Sequence, residues 1–347
     1  MAGLLSGQKF PRFLPPLSRF LILQLKRIGD VVLTAPTLGA LREAFPDAHL
    51  TLILAGAAGQ LGALFPMVDE VRTWRPEKLN LPLLHHLGGL SPDVVLDFTG
   101  TDRSAFLSLL SRAPVRVGYE KFATGLLRKM ASNQLCGANV RNLHTIDFHH
   151  ALPAAAGFLL PAVADAGHLG LPAGLVLPSL PERYVVIHPG SAREEKFWPP
   201  EEWGALLDHL HQRHGVPLVL TGGDWDFEQS QIAAILSHTA APILNLRGCL
   251  SLEQLAGVIA GARLAVTVDT AAVHLAAAFC VPQIALFGPT NPFHWSPRHP
   301  RAMVLQSGIK PGTPFQKKQR GASMAGLSWQ TVAPAVDALL RPQDREL

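Results

Sequence analysis

The sequence has little cysteine. Three residues in 347, Cys136, Cys249 and Cys280, lie far apart and form no C-x-x-C pair. That spacing excludes a disulfide framework and a cysteine-rich zinc site, and it points to a reducing compartment. Long apolar runs are also missing. No stretch of 18 charge-free apolar residues occurs, and the opening "MAGLLSGQKFPRFLPPLSRF" is broken by charge and proline before a signal-peptide core could form. A cytosolic protein is expected. Several catalytic signatures are absent as well: no G-x-G-x-x-G follows a strand-like run, and neither G-x-x-x-x-G-K-[ST] nor G-x-S-x-G is present. Dinucleotide redox chemistry, P-loop phosphoryl transfer and serine hydrolysis lose ground accordingly.

What is present is apolar residue in quantity and an uneven charge. The hydrophobic content of 48% is enough to bury two cores in a chain of this length. Residues 1–150 carry 16 Lys+Arg against 11 Asp+Glu, and residues 151–347 carry 14 against 15, so the first half is the basic one. A surplus of that kind keeps a protein soluble or faces an anionic partner. Nucleic acid is not expected, because no aromatic-interleaved basic stripe, zinc-finger spacing or RNA-binding signature accompanies it.

Short β-rich runs alternate with helical patterns. The first series is "FLILQL" (20–25), "LTLILA" (50–55), "VVLDFT" (94–99) and "VRVGY" (115–119). Between them, stretches such as "LTAPTLGALREAF" place Leu38, Leu41 and Phe45 on one helical face. Residues 153–181 hold five prolines with much Ala and Gly and read as an interdomain connection with one short helix. A second series follows: "YVVIHPG" (184–190), "LVLTGG" (218–223), "ILNLRG" (243–248), "LAVTVD" (264–269) and "QIALFG" (283–288). Alternation implies parallel strands with covering helices, hence two doubly wound α/β domains with ligands in the cleft at the carboxyl ends of the strands.

Several smaller patterns have ordinary readings. Gly56, Gly59 and Gly62 in "AGAAGQLGALF" let a helix or loop approach closely. "DWD" (224–226) looks like a D-x-D metal motif, but Asp226 with Gln229 also fits a D-x-x-Q capping box, the favoured reading. His209, His211 and His214 in "DHLHQRH" show no i, i+4 pair and read as a solvated helix face without metal. In "LAVTVDTAAVHLAAAFCVPQIALFGPTNP" (264–292) a strand ends at Asp269, Thr270 can cap the next helix, and Ala271 and Ala272 leave its first-turn N–H groups reachable. That end suits an anion such as a pyrophosphate; it fits equally an ordinary capped helix with a buried His274.

These residues resemble glycosyltransferase family 9, the ADP-heptose:lipopolysaccharide heptosyltransferases, from about residue 19 to about residue 340. The resemblance is carried by "IGDVVLTAPTLGALREAFPDAHL", "DVVLDFTGTDRSAFLSLLSRAPVRVGY", "VVIHPGSAREEKFWPPEEW" and "VDTAAVHLAAAFCVPQIALFGPTNP". It implies a GT-B fold of two Rossmann-like domains facing across a cleft. The expected division is a tail (1–18), an acceptor-binding domain (19–165), a linker (166–182) and a nucleotide-sugar domain with a C-terminal helix (183–347). It also implies an inverting transfer with no metal or other cofactor and an ADP-sugar as donor substrate.

By resemblance, Asp30 is the catalytic base that takes the proton of the acceptor hydroxyl; otherwise it reads as a helix cap. Lys196 and the helix end at Thr270 would hold the leaving diphosphate, with Ser191, Ala271 and His274 beside it. Asp269 would contact donor sugar hydroxyls. Thr221, Gly222 and Asp226 would lie near the adenosine, with either Asp226 or Glu228 as ribose partner. The basic first domain would meet the anionic lipopolysaccharide core through Arg103, Arg112, Arg116 and Lys121. The tail pairs Lys9, Arg12 and Arg19 with Phe10, Phe13, Leu14 and Phe20, a mixture suited to peripheral contact with the cytoplasmic face of the inner membrane. Three alternatives stay open: a family 9 transferase with another donor or acceptor, a GT-B sugar-nucleotide epimerase, and a two-domain binding protein.

Overall fold

The computed structural model describes residues 18–341. The first half builds a six-stranded sheet from β1 (Arg19–Gln24), β2 (His49–Ala55), β3 (Glu70–Trp74), β4 (Val94–Asp97), β5 (Val115–Tyr119) and β6 (Gln134–Cys136). Its helices are α1 (Ile28–Val32), α2 (Ala35–Ala44), α3 (Leu81–Leu90), α4 (Asp102–Leu110), α5 (Leu126–Ala131) and α6 (Thr145–Ala154). The second half repeats the plan with β7 (Val185–His188), β8 (Leu218–Leu220), β9 (Ile243–Asn245), β10 (Leu264–Val268), β11 (Gln283–Phe287) and β12 (Ala302–Gln306). Around it lie α7 (Pro200–His214), α8 (Asp226–Ser237), α9 (Leu252–Ala260), α10 (Ala271–Ala278), α11 (Pro292–Trp295) and α12 (Trp329–Leu340).

The strand orders are β3-β2-β1-β4-β5-β6 and β12-β11-β10-β7-β8-β9, and every pair is parallel. Counted from its first strand, each sheet therefore has the order 3-2-1-4-5-6 of a dinucleotide-binding fold. Each has its switch point between its first and fourth strands, where the chain leaves in opposite directions and a crevice opens. β1 and β4 flank the first crevice, β7 and β10 the second.

Central strands are mostly apolar because both faces are covered by helices: all five residues of β10 and of β11 are buried, with Thr267 and Gln283 the polar members. The three strands not expected from sequence, β3, β6 and β12, are sheet edges with partly exposed residues, so no unbroken apolar run marks them. Gly59 and Gly62 fall on a 3₁₀ helix (Gly56–Leu64), whose three-residue repeat stacks them on one side. A Cβ on them would lie 2.4 Å from Thr73 Oγ1 and 2.7 Å from Val71 Cγ1, so the close-approach reading is borne out, against β3.

Two expectations need correction. The connection after α6 contains neither helix nor strand as far as β7. It crosses both halves, with Gly170 N–H on Leu64 O and Ala166 N–H on Arg298 O. Arg19 and Phe20 belong to β1 and not to a tail: Phe20 is buried, and the Arg19 backbone N–H is held by Asp93 Oδ2. Lys9, Phe10, Arg12, Phe13 and Leu14 lie outside the described residues.

The halves are stitched together at α6. His144 accepts from Ile146 N–H through Nδ1, which leaves Nε2–H to donate to Ser296 O at 2.8 Å. Thr145 donates to His294 O, and Arg298 makes a two-pronged pair with Asp147.

Candidate functional site

β1 ends in Gln24, and the turn "LKRIG" carries the chain into α1. The Gln24 amide donates to Thr34 Oγ1 at 2.7 Å, and that hydroxyl donates to Asp30 O at 2.9 Å, so a buried side chain of β1 fixes the short helix. His149 packs behind Thr34, Nδ1 3.2 Å from Leu33 O; burial pushes its pKa down to about 3, which keeps it neutral. Asp30 therefore stands at a fixed point above the first crevice. It lies two residues inside α1, whose cap position is Arg27, so the helix-cap reading does not apply. Its carboxylate has no ion pair within 4.0 Å among the described residues. Burial raises its pKa above the usual 3.8, opposed by the charges of Lys26 and Arg27.

α1 reaches the second half through a glycine. A Cβ on Gly29 would lie 3.2 Å from His274 Cδ2, so α1 lies directly against α10. His274 is buried; burial brings its pKa down to about 4, with Asp269 opposing and Lys196 adding to the shift. Lys196, on the turn after β7, donates from Nζ to Asp269 Oδ2 at 2.6 Å and to Asp269 O at 2.9 Å. The pair is mostly buried, 14% and 7% exposed, and leaves one ammonium N–H and one carboxylate oxygen uncommitted. Thr270 occupies the cap position of α10, yet its side chain makes no cap bond, contrary to expectation. Thr270 Oγ1 and His274 Nδ1 are both buried without a protein partner. Two unsatisfied polar atoms thus sit where α10 offers its first-turn N–H groups.

The third feature is Glu228. Helix α8 begins at Asp226 with Trp225 at the cap position and no side-chain cap, so the expected D-x-x-Q box does not form. Asp226 is exposed; Glu228, half a turn on, is buried and accepts Gly223 N–H at 2.7 Å. Cβ atoms on Gly190 and Gly222 would meet Glu228 Oε1 at 1.5 and 2.8 Å, so glycines at the ends of β7 and β8 make room for this carboxylate. Burial raises its pKa, with the Gly223 bond opposing.

The remaining expected residues divide. Ser191 is buried after β7 and accepts Arg193 N–H, and Gly222 follows β8. Thr221 is fully buried, its hydroxyl 2.9 Å from His188 Nδ1 at the end of β7. Arg103 and Lys121 follow the carboxyl ends of β4 and β5, as Lys26, which the sequence did not single out, follows that of β1. Lys26 and Lys121 Nζ stand 5.1 and 5.5 Å from the Phe122 ring centre. Burial lowers the Lys26 pKa, with Asp30 and Asp97 opposing. Arg112 precedes β5 and so lies at the opposite, amino end of the sheet. Arg116 spends its guanidinium on Ala113 O and Ala131 O, at 2.6 and 2.9 Å. Asp224 pairs with Arg247 at 3.3 Å, and "DWD" forms no metal-type cluster among the described residues. His209 and His214 are not a solvated face: both turn onto Asp337 of α12, and only His211 is exposed.

Two doubly wound sheets of this order, meeting where α1 packs on α10, are the architecture of the GT-B fold. The model of glycosyltransferase family 9 (heptosyltransferase) matches residues 81–324, and the chain belongs to that family. It is 28% identical over 322 residues to lipopolysaccharide heptosyltransferase 1 of Pseudomonas aeruginosa, covering 86% of each chain. It is 26% identical over 330 residues to lipopolysaccharide heptosyltransferase 3 of Escherichia coli, covering 90% of this chain and 94% of that one. In fold it is similar to the family 9 glycosyl transferase of Veillonella parvula, with a TM-score of 0.76, 21% identity and coverage of 93% and 97%. It is also similar to ADP-heptose lipopolysaccharide heptosyltransferase II of E. coli, with a TM-score of 0.74, 22% identity and coverage of 92% and 98%.

Proposed function

We propose that the protein moves a heptose from ADP-heptose to a sugar hydroxyl of the lipopolysaccharide inner core, with inversion at the anomeric carbon. The observation that carries this reading is the packing of Gly29 on His274: it brings α1, the helix of Asp30, against α10, whose buried His274 feels the charges of the Lys196–Asp269 pair in the other half. Asp30 takes the acceptor hydroxyl proton as that oxygen attacks C1 from the face opposite the diphosphate. The C1–O bond breaks and its electrons pass to ADP. The free N–H of Lys196, the Thr270 hydroxyl and the first-turn N–H groups of α10 stabilise that growing charge. The free oxygen of Asp269 orients the sugar. The transfer calls on no metal, because the leaving group is met by an ammonium and a helix end.

Glu228, and not Asp226, takes the ribose hydroxyls in this reading. It is the buried acid at the ends of β7 and β8, with glycines on three sides, the position from which an acid reaches a ribose in folds of this kind. Lys26, Arg27, Arg103 and Lys121 receive the carboxylates and phosphates of the core.

The acceptor is carried on a lipid, and no helix among the described residues is long and apolar enough to cross a membrane. The enzyme then works at the cytoplasmic face of the inner membrane by peripheral contact. Helix α5 supports this: Leu126 and Met130 are 77% and 57% exposed, with the basic residues Arg128 and Lys129 between them.

The test is donor profiling. Purified enzyme is given lipopolysaccharide lacking heptose and a panel of sugar nucleotides, and the product is read by mass spectrometry, with and without EDTA. Heptose addition from ADP-heptose alone, at an initial rate EDTA does not change, supports the reading. Transfer from another nucleotide sugar, or a rate lost to EDTA and restored by manganese, overturns it.

A further inference from the structure

Helix α7 opens with Pro200 at its first position and stops at Gly215, whose φ of 58° ends it in the left-handed conformation. Its inner face, with Trp203, Leu206, Leu207 and Leu210, is buried in one cluster with Val332, Val336 and Leu340 of α12. That packing fixes the two helices side by side. His209 and His214 are five residues apart, a turn of roughly 140° about a regular helix, so α7 alone does not aim them at one point. Asp337 of α12 lies between them. His209 Nε2 stands 2.9 Å and His214 Nε2 2.7 Å from the same oxygen, Asp337 Oδ1. The three ligand atoms lie within 4.8 Å of one another.

The surroundings are those of a built site. The side chains of His209, His214 and Asp337 are 19%, 16% and 15% exposed, enough for one open position and too little for a loose surface pair. The other carboxylate oxygen, Oδ2, accepts from Arg213 Nε at 3.1 Å, which fixes the plane of the carboxylate in the manner of an outer-sphere partner. The His209 ring lies 5.8 Å from that of Trp329, the first residue of α12, which limits its rotation.

We propose that His209, His214 and Asp337 bind a divalent cation of the zinc class as a clasp between α7 and α12. Two imidazole nitrogens and one carboxylate oxygen are a donor set that suits Zn²⁺, with a water as fourth ligand at the exposed edge. On binding, each imidazole presents the Nε2 lone pair and carries its proton on Nδ1, so the two bonds to Oδ1 give way to two bonds to the metal. The site is structural. α7 ends at His214 just before β8 begins, at the amino ends of the strands, whereas Lys196 and Asp269 follow their carboxyl ends.

The test uses the full chain, stripped with EDTA and desalted, and titrated with ZnCl₂ and separately with CoCl₂. One equivalent of metal binds, cobalt gives the intense visible bands of a four-coordinate centre, and saturating zinc raises the melting midpoint by about 3 °C or more. His214→Ala and Asp337→Asn lose the cobalt bands and the zinc-dependent shift, and His211→Ala, the exposed neighbour, keeps both. If the variants melt lower but the parent binds no cobalt, the cluster is a hydrogen-bonded clasp only and the proposal fails. It fails equally if cobalt binding survives in a His209→Ala/His214→Ala double variant that melts cooperatively.

Discussion

A Cβ placed on Gly29 would lie 3.2 Å from Cδ2 of His274, the point where the first α/β half touches the helix that ends the donor crevice. The neighbouring residue is Asp30, so the spacing of α1 and α10 sets where the carboxylate stands. Gly29→Ala forces a shift of a few tenths of an ångström that the buried imidazole resists. Misplacing a catalytic group by about 1 Å costs about 10²-fold, and this smaller shift is expected to lower kcat by roughly tenfold. Donor KM and the melting midpoint should change little. Steady-state kinetics check this, and a variant with the parent kcat would remove the contact from the mechanism.

Asp30→Asn keeps the shape and removes the base. The expected loss in kcat is about 10²–10⁴-fold, with donor affinity nearly unchanged. A second readout is pH. Burial raises the Asp30 pKa, so the rate of the parent enzyme should fall as pH drops through a value above the ordinary 3.8. The sign for stability is opposite to that of a paired carboxylate. A raised folded pKa favours the native state below the unfolded pKa, and that advantage is lost as pH rises through the folded pKa. Asp30→Asn should therefore melt at or above the parent temperature at neutral pH, with the gain vanishing in acid. Turnover near the parent level would sink the assignment.

The fold was legible because central strands buried on both faces are mostly apolar, as "FLIL" (20–23) and "IALF" (284–287) are, and the strand-helix alternation follows. An edge strand such as Glu70–Trp74 was not, since none of its five residues is fully buried. Asp30 stood out only through a resemblance; its spacing to Lys196 depends on the meeting of α1 with α10. Asp226 and Glu228 could not be told apart because the start of α8 is set by the packing of Glu228 among glycines contributed by two different strands. His209 and His214 gave no metal spacing because the third group, Asp337, lies 123 residues beyond His214.

Lys196 and Asp269 should fail by different routes. Lys196→Ala removes charge from the leaving group and should lower kcat by about 10²-fold or more. It also leaves Asp269 buried without its partner, a destabilisation on the order of 3 kcal/mol. Asp269→Asn keeps the volume and loosens the sugar, so kcat falls with a rise in donor KM. Rates and melting curves of the two variants and their double, combined as a cycle, check this. Independent, additive losses would mean that the ion pair is not part of the site.

Glu228→Gln should raise KM for the nucleotide sugar by roughly tenfold, because a buried acid holding two hydroxyls gives up charged hydrogen bonds of about 1.5–3 kcal/mol. Asp226→Asn, at an exposed position, should change KM by less than about twofold. Titration with ADP and with its 2′-deoxyribose analogue checks the contact. Glu228→Gln should lose most of the preference for ADP, and a full preference in that variant would shift the ribose contact elsewhere.

The last prediction concerns the lipid surface. Helix α5 exposes Leu126 and Met130 beside Arg128 and Lys129, and Phe106 of α4, 44% exposed, comes from the helix packed against it. Arg128 is tied to Asp102 at 2.7 Å, which fixes the two helices together, and Lys129 has no ion pair among the described residues. Apolar side chains flanked by one free cation give weak attachment, roughly 1 kcal/mol for the charge, so binding should need anionic lipid and be screened by salt. Full-length protein should sediment with phosphatidylglycerol vesicles at low salt and not at 0.5 M NaCl. Replacing Leu126 and Met130 with Ser should weaken sedimentation severalfold while leaving kcat on a soluble acceptor unchanged. Deleting residues 1–16 in the parent separates the contribution of the basic, aromatic tail from that of α5. Protein that ignores these vesicles at low salt would leave capture of the acceptor to its sugar and phosphate groups alone.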